Sequence, residues 1–160
     1  MVEQTSEYGW HGQPFWAPFF HDKERLMKII CFLKKKDGLS SEQFMNYYES
    51  NHAPLATKLL PFFSSYERKY VIKDKEYKPG HLNEELPPVP VFDVITEISF
   101  GNRADYEGML AALKDPVIGK QIADDEENFL DRKAMVMYFV DERTTPVDVL
   151  MSARAQPSPV

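Results

Sequence analysis

The residues of this chain best suited to acid–base chemistry are one histidine, His52, and two carboxylates, Asp93 and Glu97, with tyrosines spaced around them. His52 stands in the run Ser40 to Pro61, where Phe44, Tyr48, His52, Leu55 and Leu59 recur at intervals of four or three, while Glu42, Asn46, Glu49, Ser50 and Lys58 fall elsewhere. That spacing puts the imidazole on the apolar stripe of a helix. An inward histidine is commonly packed and satisfied by a backbone carbonyl. At the mouth of a cavity it is instead an acid, base or donor whose pKa lies near working pH.

Asp93 and Glu97 share one face of an extended run with Ile95 and Ser99. Residues four apart on a strand are separated by about 13 Å, so only one of the two carboxylates can serve a given substrate atom. Asp93 is the expected choice, because it lies at the strand end nearest a long loop, and a partly desolvated carboxylate beside Phe32 and Tyr66 can orient His52. The expected catalytic pair is therefore His52 and Asp93. Tyr48, Tyr66, Arg68 and Tyr70 are expected as oxyanion donors or substrate clamps, with Glu97, Phe32 and Trp16 also contacting the substrate. His52, Asp93 and Glu97 have no recognised ligand spacing, so no metal is expected. The ordinary fate of the two carboxylates is the alternative: ion pairs to Lys28, Arg68 or Lys69.

The elements that must position these groups are legible from periodicity and caps. Ser40 with Gln43 forms a capping box that starts a helix near Ser41. Pro54 lacks the N–H for the ladder, which predicts a kink or restart at 51–53 beside His52. Alternation predicts strands at 26–34, 64–73, 91–100 and 132–140, the first presenting Met27, Ile29, Cys31 and Leu33 on one face. Lys34 to Gly38 reads as a turn. A helical region from Asn102 or Arg103 to Leu113 carries Tyr106, Met109, Leu110 and Leu113 as its stripe, and Asp115 caps a further helix to about Leu130. The run Asp124-Asp125-Glu126-Glu127 on that helix reads as a solvated acidic face.

Residues 1–25 lack periodicity yet hold Tyr8, Trp10, Phe15, Trp16, Phe19 and Phe20. They read as an arm that packs its aromatics on the domain or a second subunit, or as a lid over an apolar pocket with His11 and His21 at its ends. Residues 74–90 read as a loop, and the prolines and small residues beyond Arg143 predict a tail with little order. The expected organisation is an arm at 1–25, one α+β domain at 26–143 and a tail at 144–160.

Composition narrows the partners. A chain of 160 residues with 43% hydrophobic content can bury a core, and a formal net charge of -6 gives no footprint for nucleic acid and little attraction to a membrane surface. The single cysteine, Cys31, lies in an apolar run and reads as a small buried hydrophobe. No leader pattern and no stretch of 18 apolar residues occurs in the chain, which points to the cytoplasm.

The order strand, helix, strand, strand, helices, strand is the split βαβ pattern of ferredoxin-like domains, with four antiparallel strands against helices. One sheet face is left bare. It carries Ile30, Phe32 and Ile95, so a homodimer packed sheet to sheet across a two-fold axis is expected.

The run from Leu26 to Phe44 (LMKIICFLKKKDGLSSEQF), followed by Tyr47-Tyr48 and Asn51-His52-Ala53-Pro54-Leu55, resembles the opening of an EthD-type domain in the dimeric α+β barrel superfamily. In length and extensions the chain looks most like the small decarboxylases or dehydratases of fungal aromatic polyketide pathways. The resemblance implies a cavity between sheet and helices lined by the matching histidine, and a cofactor-free lyase acting on an aromatic or pre-aromatic polyketide. Cyclisation and cofactor-free oxygenation are also implied for related domains. A non-catalytic module, whose cavity holds an apolar ligand or is filled by Trp10 or Trp16, is the competing reading.

Overall fold

A computed structural model of the chain describes residues 27–73 and 91–154. The aromatic arm with Trp10, His11, Trp16 and His21, the Pro-rich loop and the last six residues lie outside the described part. The described elements run β1 (Met27–Leu33), α1 (Ser41–Tyr47), a π-helical turn (Tyr48–His52), α2 (Ala53–Leu59), β2 (Ser65–Tyr70), β3 (Val94–Phe100), α3 (Arg103–Lys114), α4 (Pro116–Phe129), a 3-10 turn (Arg132–Ala134), β4 (Val136–Val140) and α5 (Val147–Arg154).

The four strands form one antiparallel sheet in the order β2-β3-β1-β4, the ferredoxin-like arrangement. Period-two alternation sends Ile29, Cys31 and Leu33 of β1, and Val94, Thr96 and Phe100 of β3, into the core beneath the helices. Lys28, Ile30, Phe32, Ile95 and Glu97 turn to the opposite, open face. The Asp37-Gly38 turn after β1 uses the left-handed backbone that glycine tolerates, with Gly38 at φ 90°.

The first helix begins where the sequence indicates. Ser40 Oγ accepts from the Gln43 N–H at 3.1 Å, and Gln43 Oε1 accepts from the Ser40 N–H at 2.9 Å. Pro54 has the effect expected of a missing donor, in a particular form: the chain widens into a π turn whose closing bond runs from the Ala53 N–H to the Tyr48 carbonyl. The helix restarts with Pro54 in the first turn of α2. Wide turns of this kind concentrate at functional sites, and this one buries both Tyr48 and His52.

Asn102 caps α3, and Asp115 caps α4 by accepting from the Val117 and Ile118 N–H groups. The packing of α3 depends on Gly108, where a Cβ would stand 2.6 Å from the Phe62 ring.

Several boundaries differ from those expected: β2 ends at Tyr70 rather than 73, and β3 starts at Val94 rather than 91. The last strand starts at Val136 rather than Arg132, because Asp131 donates to the Lys34 carbonyl and accepts at its own carbonyl from Ala134, turning 132–134 into a 3-10 helix. Beyond β4, where little order is expected, residues 147–154 form α5 with Asp148 in its first turn and Arg154 in its last, charges that suit the helix dipole. Val147, Leu150 and Met151 of α5 remain exposed.

Candidate active site

Between the helix face of the sheet and α2, α3 and α4 lies a cavity of about 330 Å³, within the range of small-molecule sites. Most of its wall is apolar, with Ile29, Leu33, Met109, Leu113, Ile122 and Met137 among the contributors. Its polar groups are His52, Tyr48, Tyr66, Thr96, Tyr106, Glu126 and the Cys31 thiol. Among the described residues no lysine or arginine lines it.

His52 is buried from the π turn, and its ring packs against Tyr48 and Phe129 with centroids 5.2 and 5.0 Å away. Its Nδ1 lies 2.7 Å from Asp125 Oδ2. A carboxylate on Nδ1 assigns the proton to that nitrogen and leaves Nε2 as the one able to accept a proton. Asp125 is held in turn: Tyr47 Oη donates to its Oδ1 at 2.8 Å, and Asn128 Nδ2 donates to Tyr47 Oη at 2.9 Å. Burial and the adjacent Asp125 both push the Tyr47 hydroxyl above the usual tyrosine range, so it remains a neutral donor. The histidine and its orienting carboxylate therefore come from two elements, the π turn and α4, locked in one network.

A chain of hydroxyls occupies the same cavity. Tyr66 Oη donates to Tyr48 Oη at 3.1 Å, and Tyr48 Oη shares a hydrogen bond with Thr96 Oγ1 at 3.0 Å. Burial raises the pKa of both tyrosines well above the ordinary range, so both stay protonated. Hydroxyls donate or accept by rotating, so the chain can turn a donor toward oxygen charge that develops on a bound substrate. Cys31 beside Thr96 is inert by comparison, its thiol pushed up to about 11 by burial.

Asp93 stands elsewhere. It lies one residue before β3, at the far end of the β1–β3 pair, where its Oδ2 accepts from the Lys35 N–H at 2.8 Å and its Oδ1 takes Lys73 Nζ at 2.8 Å. The expected pairing of Asp93 with His52 is therefore corrected to Asp125 with His52. The reason is period two: on β3 the residues facing the helices are Val94, Thr96 and Ile98, and the carboxylates alternate with them. Glu97 lies on the open face, 3.4 Å from Lys28 Nζ and 2.6 Å from Lys69 Nζ, which is the ion-pair fate the sequence allowed. Phe32 is also on that face, edge-on to Phe92 and Tyr138. Neither belongs to the cavity of His52.

Tyr48 and Tyr66 line the cavity. Arg68 and Tyr70 share the helix face of β2 but converge on Glu49, with Arg68 Nη2 at 2.7 Å, Arg68 Nε at 3.0 Å and Tyr70 Oη at 2.7 Å. The Arg68 hydrogen bonds hold the Glu49 carboxylate below its usual range. Arg68 also lies 4.7 Å from the centre of the Tyr66 ring, so it borders the hydroxyl chain without entering the cavity.

Asp125, Glu126 and Thr96 are the site residues that the sequence reading misses. A signal for the acids exists: on α4, Ile118, Ile122 and Phe129 form the inward stripe, and Asp125 and Glu126 fall three and four residues after Ile122 and four and three before Phe129. They share the buried side of the helix, and only Asp124 and Glu127 occupy the solvated side. Among the described residues no group of three or more histidines, cysteines or carboxylates is arranged to hold a metal ion.

A four-stranded antiparallel sheet under helices, with a carboxylate-paired histidine facing an apolar cavity, defines a ferredoxin-like α+β domain. The EthD domain model matches residues 36–133, and the chain belongs to that family. Among solved structures the chain is similar to an EthD-like protein of Ralstonia eutropha JMP134 (17% identity, TM-score 0.52, covering 77% of this chain and 96% of that one), which shares the fold. It is also similar to an EthD family protein of Bacillus halodurans C-125 (18%, TM-score 0.48, 74% and 100%) and to the hydroxynitrile lyase of Passiflora edulis (14%, TM-score 0.48, 76% and 99%). No curated protein matches the chain. Among the described residues no helix is long and apolar enough to cross a membrane.

Proposed function

We propose that this protein is a cofactor-free lyase, a decarboxylase or dehydratase acting on an aromatic polyketide intermediate of secondary metabolism, working in the cytoplasm as a homodimer. The observation that carries the reading is the Asp125-oriented His52 on the wall of an apolar cavity that also holds the Tyr66–Tyr48–Thr96 hydroxyl chain. Loss of CO2 from a β-keto acid leaves an electron pair that spreads onto the keto oxygen, where neutral hydroxyl donors stabilise it. Loss of water needs a base at carbon and an acid at the departing oxygen, and His52 can fill the first role.

Decarboxylation is favoured over dehydration by the wall. Without a lysine or arginine among its described residues, the cavity solvates a carboxylate poorly and tolerates a delocalised enolate better. Its volume suits a fused-ring substrate. The homodimer is supported by the open face, where Ile30, Phe32 and Ile95 sit beside the exposed Val136 and Tyr138.

Incubation with a carboxylated anthrone, followed by mass analysis of the product, tests the reading. Loss of CO2 is expected; loss of water instead selects dehydration, and recovery of unchanged substrate contradicts the lyase.

A further inference from the structure

Glu126 is the one carboxyl group among the described residues on the cavity wall, and neither the His52–Asp125 pair nor the hydroxyl chain uses it. It reaches the cavity from α4, one residue beyond the carboxylate that orients the histidine. Its side chain is 18% exposed, and its Oε2 accepts from Arg132 Nε at 3.0 Å. Burial raises its pKa above the ordinary carboxylate value, against the opposing pull of His52 and Arg132. The groups facing it are His52 from the π turn, Asp125 on its own helix, Arg132 from the 3-10 turn and the neutral Cys31 thiol of β1. Asp125 is already committed to His52 and Tyr47.

An aromatic carboxylate entering this cavity therefore meets a second carboxyl group and, among the described residues, no lysine or arginine on the wall. Two carboxylates sharing an apolar site cannot both ionise cheaply, so one proton must be held between them. Glu126 has the burial to hold it, and Arg132 is placed to stabilise the anion left when the proton departs.

We propose that Glu126 is the proton-carrying acid of the cavity: neutral, it receives the carboxylate of an aromatic acid, and after loss of CO2 it gives that proton to the ring carbon. The proposal rests on the lyase reading above. In the step, the bond between ring carbon and carboxylate breaks, its electron pair moves onto the ring and keto oxygen, and CO2 leaves. The Glu126 O–H bond then breaks and a C–H bond forms at the same carbon. Glu126, now a carboxylate against Arg132, regains its proton from water, so the sum is substrate carboxylate plus one proton giving CO2 and the C–H product.

The test uses the full chain, wild type and Glu126→Gln, titrated by calorimetry with 2-naphthoate and its neutral amide, 2-naphthamide, from about pH 5 to about pH 9. Wild-type affinity for naphthoate is expected to fall about tenfold per pH unit above the Glu126 pKa, with naphthamide flat and both probes flat in Glu126→Gln. In buffers of different ionisation heat, wild type at the upper end of the range is expected to take up about one proton per naphthoate bound. That reading needs no variant to fold. A flat wild-type profile without proton uptake, or the same slope in Glu126→Gln, overturns the role of Glu126 while leaving the lyase reading standing. Binding of neither probe to wild type contradicts the aromatic ligand class itself.

Discussion

The two faces of one sheet solve opposite problems with alternate residues of the same strands. Toward the helices, Cys31 pairs across from Thr96, and the polar groups at the centre of the sheet are neutral hydroxyls whose bonds are satisfied by one another, the Arg68–Glu49 ion pair lying at the β2 edge. Toward the open side, Ile30 pairs across from Glu97, and the polar groups are ions: Lys69 bridges Glu67 and Glu97, which stand directly opposite in the β2–β3 register, while Lys28 links Glu97 to Glu142. Desolvation explains the division. A hydroxyl chain survives burial at small cost, whereas charges are kept where water reaches them unless, like Asp93, Asp125 and Glu126, they hold a partner.

If the helix face is the reactive one, the largest effect comes from removing its base. His52→Gln keeps much of the side-chain volume and is expected to lower turnover of a carboxylated anthrone by about a hundredfold or more, with the circular dichroism spectrum unchanged. Next comes the open face. Ile95→Asp adds a third acid near Glu67 and Glu97 and is expected to dissociate the dimer, read as a halved mass in sedimentation; a wild-type monomer at micromolar concentration contradicts the assembly outright. Thr96→Val removes one hydroxyl from the chain and leaves Tyr48 with Tyr66 alone. A loss of about 1 kcal/mol in urea unfolding is expected, with turnover down about tenfold. Smallest is Glu97→Gln. It weakens only a partly exposed ion network, so stability is expected to move by about 0.5 kcal/mol or less and turnover not at all.

The same contrast shows which parts of the molecule were legible in the amino-acid order. Local signals carried far: the Ser40–Gln43 capping box, the Pro54 interruption, the Asn102 and Asp115 caps and the period-two runs place every strand and the main helices, and with them His52, Tyr48 and Tyr66. What failed was phase between elements. Asp93 and Glu97 are conspicuous because they interrupt an apolar strand, yet their alternation with Val94, Thr96 and Ile98 turns them away from the helices. Asp125 and Glu126 are inconspicuous because they sit in a run of four acids, although the stripe of Ile122 and Phe129 already phases them inward. Thr96 carries no chemical flag in a strand; only its position across from Cys31 and beneath Tyr48 gives its hydroxyl a role. The π turn also escapes a sequence reading, since a proline announces a break without announcing that the broken helix will widen.

Asp125→Asn and Asp93→Asn, assayed side by side for CO2 release from a carboxylated anthrone, put the assignment to its sharpest trial. Asp125→Asn is expected to lower turnover about a hundredfold, because an amide cannot hold the Nδ1 proton of His52 as a carboxylate does. Asp93→Asn, whose side chain bonds Lys73 and the Lys35 N–H away from the cavity, is expected to remain within about twofold of wild type in turnover while losing about 1 kcal/mol of stability. The reverse order, with Asp93→Asn inactive and Asp125→Asn unimpaired, contradicts the placement of the reaction in the cavity beneath α4.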